Sequence, residues 1–491
     1  MSNQMTTFNE IPFDWLKPGV LVEARPNYRR QGLVSYPQRT LLIVQKLAAG
    51  SAPALSMREI TRDEDGAAFF GAGSIGDRMC RGYRRANRTQ PLFAIALDDV
   101  GAGTQATQTL TMAGAATASG TIPLYVGGER VATGIATGAT AAAAATAIAA
   151  AINANPTLQM TATAAAAVVT LTARHRGVTG NDIDVRIGRF IDDAMPAGLT
   201  ATVAAGVAGA TNPNVQTALD AIAGQWFTDI VTPWTDAANL TALATDLASR
   251  YRAMGRRDAH AFCVFRGTYG QLVTAGGLTN SPHITATGFN RPGTSPWEIA
   301  AVIAGRAAFH LTNDPARQLR TIDLPGCWAD AANLFTEQES ELLLRQGISS
   351  WNRLDDGTIT LDRVITMYKQ APSGAADRAW LDIMVPKTLS RLRYDWIVHI
   401  SLLYPRHKLA DDYSPAADAS DAVCTPRRMA GTWASRCKLY ERAGWIEDVN
   451  RTVDESHFYR NPNDRNRMDA SMQVQIIGSL MVLAAALEFQ V

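Results

Sequence analysis

Residues 71–76 (GAGSIG) are the part of the sequence whose residue types and spacing best suit ligand chemistry. They match G-x-G-x-x-G, the dinucleotide-binding fingerprint, in which a strand leads into a glycine turn and the next helix N-terminus holds the pyrophosphate. The preceding residues, DEDGAAFF, favour a helix in place of that strand, and no G-K-[S/T] follows as a phosphate-binding loop requires. We therefore predict a helix cap and a turn here. A nucleotide-dependent α/β enzyme is the alternative.

Ser74 also lies in an A-x-S-x-G pattern, which is a variant of the nucleophile elbow of α/β hydrolases. That elbow needs a strand, a sharp turn and a helix, with a histidine and a carboxylate brought close to the serine. The chain has 7 histidines, but none lies in a recognisable triad pattern. The sequence therefore predicts no catalytic residue and a protein that is not an enzyme.

Metal-binding patterns are missing from the sequence. There is no HExxH and no CxxC, and residues 181–184 (NDID) lack the glycine and the terminal glutamate of a calcium loop, so we predict a turn and a strand end there. The 5 cysteines are scattered along the chain, which is typical of buried thiols in a reducing compartment. We predict no metal and no cofactor.

The overall charge is close to zero, since 46 basic residues face 45 acidic ones. This balance argues against a dedicated nucleic-acid binder and leaves little long-range repulsion to oppose self-association. Residues 476–487 (IIGSLMVLAAAL) are apolar, but a membrane-spanning helix needs about 20 such residues. We predict no membrane insertion, no signal peptide at the polar N-terminus, and a core or interface role for the apolar run.

Strands and helices alternate over much of the chain. Strands are predicted at 40–47, 91–98, 227–233, 261–265 and 283–288, and helices at 58–70, 236–254 and 296–311. Such alternation is typical of a largely parallel sheet covered on both faces.

The stretch 101–173 interrupts this rhythm, because its only charged residues are Glu129 and Arg130. Within it we predict strands at 107–114, 121–135 and 168–173, a hairpin turn at Gly127-Gly128, and a helix at 140–152. A further Thr/Ala-rich piece follows at 201–211. These patterns indicate a small, mostly β domain inserted into the α/β domain.

Beyond residue 386 the predicted elements are helices at 389–403 and 426–443, a polar loop at 411–421, and strands at 453–461 and 487–491. The fold class is therefore α+β multidomain: an α/β core domain, an inserted mostly-β domain, and a C-terminal α+β domain that shares strands with neighbouring subunits. The predicted domains are 1–30 (extended N-terminal arm), 31–98 plus 206–385 (discontinuous core), 99–205 (insertion) and 386–491 (C-terminal domain with a terminal strand).

Both ends of the chain carry a strand pattern without a partner that is adjacent in sequence. Prolines 12, 18 and 26 keep the N-terminal arm extended. We expect such strands to be donated to neighbouring copies, where they add to an open sheet edge. The predicted donated strands are Val20, Leu21, Val22 and Glu23 at one end and Leu487, Glu488, Phe489, Gln490 and Val491 at the other.

Many segments, in the same order and over nearly the whole chain, resemble the tail-sheath subunit of Mu-like contractile bacteriophage tails. They are FNEIPFDWLKPGVLVE (8–23), LLIVQKLAAG (41–50), FFGAGS (69–74), FAIALDD (93–99), ASGTIPLYVGGERV (118–131), LTARHRGVTGNDIDVR (171–186), DPARQLRTIDLPG (314–326), DRVITMYKQAPSGAADRAWLDI (362–383), VCTPRRMAGTWASRCKLYERAGWIED (423–448) and NPNDRNRMD (461–469). One departure is the Trp15-Leu16-Lys17 before Pro18, where the family commonly has an arginine.

The resemblance implies a structural subunit of the virion, assembled in the host cytoplasm. It implies stacked hexameric rings around a tail tube, a metastable extended sheath, contraction that drives the tube through the host envelope, and arms that link subunits through shared sheet. Its partners would be further copies of itself, the tail tube protein, and the baseplate and tail terminator proteins, without direct contact with nucleic acid. A related contractile machine, such as a tailocin or a secretion apparatus, is the alternative.

Two placements follow from this resemblance. We expect the inserted domain on the outer surface and the C-terminal domain against the inner tube. The helix at 426–443 would contact the tube through Arg427, Arg428, Arg436 and Lys438; alternatively, it simply covers its own domain.

Overall fold

The computed structural model describes Pro12, residues 14–23 and residues 32–489. The helices among these residues are α1 (Asp65–Phe70), α2 (Ile75–Ala86), α3 (Ala141–Ala154), α4 (Gln216–Ala221), α5 (Ala237–Tyr251), α6 (Tyr269–Gly276), α7 (Pro296–Asn313), α8 (Glu337–Arg345), α9 (Met384–Leu403), α10 (Pro415–Ala419), α11 (Pro426–Arg442) and α12 (Val449–Asp454), with 3₁₀ turns at Val178–Asp182 and Ala331–Asn333.

The strands of the same residues are β1 (Thr40–Gln45), β2 (Met57–Glu59), β3 (Leu92–Leu97), β4 (Gln105–Gly114), β5 (Gly120–Val126), β6 (Glu129–Ile135), β7 (Met160–Ala165), β8 (Val168–Arg176), β9 (Val185–Ile187), β10 (Leu199–Ala205), β11 (Asp229–Val231), β12 (His260–Arg266), β13 (Ile284–Phe289), β14 (Ile348–Ser349), β15 (Trp351–Arg353), β16 (Ile359–Leu361), β17 (Lys408–Leu409), β18 (Val423–Cys424), β19 (His457–Arg460) and β20 (Met468–Ser471).

A seven-stranded sheet forms the core, in the order β14-β13-β12-β11-β1-β3-β2. Its strands are parallel except β2, which pairs antiparallel with β3 at the edge. Side chains of β1 alternate between two apolar clusters: Leu42 packs with residues of α2 and α7, and Leu41 with residues of α4 and α5. The predicted parallel sheet with helices on both faces is therefore confirmed.

Residues 105–205 form two antiparallel sheets, β10-β4-β8-β7 and β6-β5-β9. The predicted hairpin is confirmed, because Gly127 and Gly128 both adopt positive φ (57° and 87°) between β5 and β6. Helix α3 is also confirmed, and it buries Ile148 and Ile152 against the strands. Strands β7 and β9 were not predicted, since the Ala/Thr-rich β7 alternates too weakly in polarity and β9 has only 3 residues.

The C-terminal part has its own apolar cluster. Helices α9, α11 and α12 contribute Leu392, Trp433, Tyr440 and Val449 to it. The hairpin β19–β20 forms a separate two-stranded sheet beside α11.

Local structure differs from the predictions at five points. The helix predicted at 58–70 begins only at Asp65, whose carboxylate accepts hydrogen bonds from the backbone N–H groups of Thr61 (2.8 Å) and Arg62 (2.8 Å) and so holds a turn before the helix. Met57–Glu59 is a strand, because it pairs with β3. Helix α2 was missed, since its small and charged residues obscure the apolar face that it buries.

The other two corrections concern the C-terminal part. The polar loop at 411–421 contains the short helix α10, which begins at a proline. Residues 453–454 end helix α12, so the predicted strand starts only at His457.

Candidate assembly surfaces

The glycine-rich run at 71–76 joins two helices, which confirms the predicted cap and turn. Gly71 ends α1 with φ 90°, and its N–H donates to the carbonyl of Ala67 (2.9 Å). The Ser74 hydroxyl accepts from the N–H of Asp77 (2.9 Å) and caps α2. Because a helix precedes the run, the strand that both the dinucleotide fingerprint and the nucleophile elbow require is replaced by α1.

A histidine and a carboxylate do lie beside Ser74, a juxtaposition that the sequence did not predict. Nδ1 of His175 lies 2.8 Å from Asp99, and Nε2 accepts from the backbone N–H of Ile75 (3.1 Å). Since that hydrogen bond uses the Nε2 lone pair, the imidazole has no free nitrogen that could accept a proton from the buried Ser74 hydroxyl. The pair therefore joins β8 to the start of α2 and does not form a catalytic triad.

Asp99 anchors this contact electrostatically. Burial alone would raise its pKa, but hydrogen bonds from His175, from the backbone N–H of Arg176 and from Gln45 outweigh burial and lower the pKa below its ordinary value. The carboxylate thus stays charged at the ends of β1 and β3.

Open α/β sheets bind ligands beyond the carboxyl ends of their strands, and one crevice on this side of the sheet lies beside the ends of β1 and β3. Here the inserted region fills it: a Cβ on Gly73 would lie 2.4 Å from the carbonyl of Leu158. Between Gly73, Gln159 and His175 a cavity of about 10 Å³ is left. That space is of the order of one water molecule, so the crevice is an interface between the insertion and the core.

A buried ion network adds to this interface. The Arg78 guanidinium of α2 donates to Glu298 of α7 (2.7 and 2.9 Å) and pairs with Glu129 at the hairpin turn of the insertion. The Ser295 hydroxyl donates to Gln159 (2.7 Å). Paired and hydrogen-bonded charges of this kind fix the relative position of the elements they join.

Among the described residues, no group of three or more His, Cys, Asp or Glu side chains is arranged to hold a metal ion. Across the same ranges, no helix combines the length and apolar character that crossing a bilayer requires.

Residues 14–23, the continuous described part of the N-terminal arm, lie on the outside of the subunit. Leu16, Val20 and Val22 are between 88% and 94% exposed, and Glu23 is half-buried. Within the described subunit, Val20–Glu23 belong to no sheet. Apolar side chains held in water in this way favour burial against another surface.

The C-terminal segment leaves its domain after a short contact, in which the N–H of Glu447 donates to the carbonyl of Gln475 (3.0 Å). The apolar run that follows is packed only in part. Ile477 and Met481 contact apolar clusters of the subunit, whereas Leu480, Val482, Leu483, Leu487 and Phe489 are between 73% and 95% exposed. The run therefore combines the two expected roles, with its exposed residues remaining for an interface. Gln490 and Val491 lie outside the described residues.

Helix α11 presents only part of its predicted basic face. Arg427 and Lys438 are exposed, and Arg428 donates to the carbonyl of Val423 (2.5 Å). Arg436 is buried and forms a bidentate salt bridge with Asp395 of α9 (2.5 and 2.6 Å). In the described subunit Arg436 therefore belongs to the core of the C-terminal part and not to its surface.

Asp395 is the residue of this region that the sequence analysis missed. It also accepts hydrogen bonds from the Tyr440 hydroxyl (2.6 Å) and from the backbone N–H of Val34 (2.8 Å). The helical spacing of Arg436 and Tyr440, four residues apart on one face, was the available signal.

Two comparisons with known sequences found similar proteins. A family model described as the phage tail sheath protein central domain matches residues 208–367. The Mu-like prophage FluMu tail sheath protein of Haemophilus influenzae is 28% identical over 483 residues, which cover 98% of this chain and 99% of that protein.

Two solved structures are similar to this chain. The anti-feeding prophage (AFP) baseplate in the contracted state contains a chain with a TM-score of 0.51 and 10% identity, covering 96% of this chain and 98% of that one. A sheath tail protein from Listeria innocua has a TM-score of 0.49 and 13% identity, covering 92% and 94%.

Proposed function

We propose, from the premise that this chain belongs to the phage tail sheath family, that it polymerises as stacked hexameric rings around a tail tube and contracts to drive that tube through the host envelope. The observation that carries the proposal is the pair of exposed apolar ends, one at residues 16–22 and one at 480–489. A subunit that never met another copy would leave both ends in water at a free-energy cost.

Each end reaches a neighbour as an extended strand. We infer that Val20–Glu23 and the strand that begins at Leu487 add to open sheet edges of adjacent subunits, where main-chain hydrogen bonds supply the link. The hairpin β19–β20 is a suitable acceptor, because a sheet of two strands is marginal alone and gains from a third.

The remaining partners follow from the family. As a component of the virion, the subunit would contact the tube protein, the baseplate and the tail terminator, after assembly in the host cytoplasm. Arg427 and Lys438 of α11, with Arg428 beside them, are the basic side chains left for the tube. The arm (1–30), core (31–98 plus 206–385), insertion (99–205) and C-terminal domain (386–491) are the bodies that we propose for the subunit.

Contraction needs no nucleotide in this scheme. Head-to-tail contacts that do not close build an open helix. Donated strands let neighbours rotate as rigid bodies without separating, and a difference of a few kcal/mol per subunit between two packings suffices when many copies switch together.

Truncation tests the proposal. Variants lacking 1–25 or 485–491 should remain folded and soluble but form no long tubes, whereas the full chain should form tubes visible in negative-stain electron micrographs. As a matched control, the exposed Met254, which lies on neither end, is changed to Ser and should leave tube formation intact. Normal tubes from either truncated chain would refute strand donation at that end.

Titration with ATP and NAD addresses the enzyme alternative, since binding in the micromolar range would revive it. The choice between a phage tail and a related contractile machine rests on the neighbouring genes, because capsid genes would accompany only the former.

A further inference from the structure

An apolar tip projects from the insertion between β9 and β10. We define the tip as residues 189–192. Its Phe190 is 61% exposed and its Ile191 is 100% exposed. Asp192, the next residue, is also exposed. Ile191 is thus the most solvated large apolar side chain of a region that is otherwise rich in alanine and threonine.

The tip is held in a fixed shape. The Asp193 carboxylate accepts hydrogen bonds from the backbone N–H groups of Arg189 (2.8 Å) and Phe190 (2.9 Å) and from the Tyr125 hydroxyl (2.8 Å). The Arg189 guanidinium lies 4.9 Å from the Phe190 ring centroid and 4.6 Å from that of Trp328. A loop that is ordered before binding loses less entropy on docking than a mobile one.

A groove opens at the other end of β10. It has a volume of about 450 Å³, within the range of pockets that accept a ligand or a few side chains. It lies between β10, the edge of the four-stranded sheet, and β9, the edge of the three-stranded sheet. Its walls combine the polar Thr107, Gln108 and Asn181 with small or apolar residues that include Ala106, Ile183, Val203, Ala205, Val207 and Ala208.

One exposed charge at the groove is opposite to one on the tip. Asp184 at the groove is paired with Arg186, and Arg266 is paired with Asp182. The exposed Arg291 is therefore the remaining charge at the groove, whereas the tip ends in the exposed Asp192. Opposite charges around an apolar contact favour its formation and fix its orientation.

The tip does not fill the groove of its own chain, because Ile191 is fully exposed. We propose that the tip of one subunit inserts into the groove of a neighbouring copy, with Asp192 close to Arg291. The inference rests on the proposed sheath function. Since tip and groove are different surfaces, the contact repeats head to tail without closing, as a helical lattice needs.

Crosslinking tests the contact directly. In the full chain, Ile191→Cys is combined with Ala205→Cys, and assembled tubes are treated with a short bifunctional maleimide. The 5 native cysteines are buried in the described structure, so they interfere little. We expect a ladder of dimers, trimers and larger species on a denaturing gel, with at most dimers from either single variant. As a matched control, Ile191→Cys with Met254→Cys should give no ladder.

The outcomes separate the two proposals. Tubes without a ladder, or crosslinks confined to monomers, overturn the tip-in-groove contact and leave the sheath function standing. A wild-type chain that never forms tubes overturns both.

A charge swap gives an independent measurement. Asp192→Arg alone and Arg291→Glu alone should each raise the concentration needed for tubes about two- to fivefold, as expected for an exposed ion pair. The double variant should restore the wild-type concentration, and circular dichroism of the monomers checks that each variant is folded. If the concentration needed for tubes rose in the double variant by the two single effects combined, the pairing would be refuted.

Discussion

Asp395 shows how one buried residue organises the C-terminal part of the subunit. It holds Arg436 and Tyr440 of α11 and the backbone of Val34, so it ties α9, α11 and the segment before β1 together. The pair with Arg436 is buried on both sides. Removing one member of such a pair is costly, because the other charge is left unpaired away from water.

Arg436→Met should therefore lower the free energy of unfolding by about 3 kcal/mol. Lys438→Met, on the same helix but exposed, is the matched control and should change it by less than about 0.5 kcal/mol. Urea unfolding of the full chain followed by tryptophan fluorescence measures both. Equal effects of the two substitutions would contradict the assigned role of Arg436.

His283 predicts how stability depends on pH. Burial, together with the nearby charge of Arg393, lowers the pKa of His283 to about 4. Between the ordinary histidine pKa and this value, His283 binds a proton in the unfolded chain but not in the folded one. The free energy of unfolding therefore falls as pH falls from about 6.5 to about 4.

The loss attributable to His283 should reach about 3 kcal/mol at the acidic end of that window. His283→Gln should make the free energy of unfolding depend less on pH, whereas substitution of the exposed His457 should leave this pH dependence unchanged. Chemical unfolding at several pH values is the measurement. An unaltered slope in His283→Gln would show that other groups, such as the buried His260, dominate.

Secondary-structure elements could be predicted where one pattern dominated. Strand β1 has an unbroken apolar run at its centre (residues 41–44), and α5 repeats leucine at helical spacing, so both were predicted. Helix α2 was not, because its buried face includes the charged Asp77 and Arg78, and the partners of Arg78 are far away in sequence. The two corrected ends, at 58–64 and 453–454, depended on turn hydrogen bonds that a polarity pattern does not reveal.

The candidate assembly surfaces could likewise be predicted only in part. Exposed apolar ends were predictable, because a strand pattern without an adjacent partner is visible in the sequence. The tip and its groove were not, since Phe190 and Ile191 form too short an apolar run and the groove is made by strands that only the fold brings together. The buried position of Arg436 likewise depended on α9 packing against α11.

Helix α3 allows a test at the scale of an element. Its alanine-rich first turn has no acidic residue, so the Thr140 hydroxyl, which accepts from the N–H of Ala143 (3.2 Å), is its side-chain cap. Thr140→Ala should lower stability by about 1 kcal/mol and speed amide exchange at the start of α3. Thr140→Ser keeps the oxygen and should lose much less. Similar losses in both variants would mean that the β-branched methyl group, and not the cap, matters.

At the scale of the whole molecule, charge balance and exposed apolar ends act together. With a formal net charge of +1, the subunit has little long-range field to hold copies apart. The apolar side chains at 16–22 and 480–489 supply a short-range attraction instead. Assembly should therefore be governed by the burial of apolar surface, with hydrogen bonds of the donated strands fixing the geometry.

This balance predicts how tube formation responds to temperature and salt. Apolar burial weakens on cooling, so the concentration needed for tubes should rise between 25 °C and 4 °C. Raising NaCl from about 0.1 to about 0.5 M, which shortens the screening length to a few ångströms, should change it little. Sedimentation of tubes across these conditions measures both effects.

In Leu487→Ser/Phe489→Ser, the required concentration should be higher and its temperature dependence smaller, because less apolar surface is buried per contact. Strong dissolution of wild-type tubes by salt, with no effect of cooling, would instead assign assembly to ion pairs such as Asp192 with Arg291.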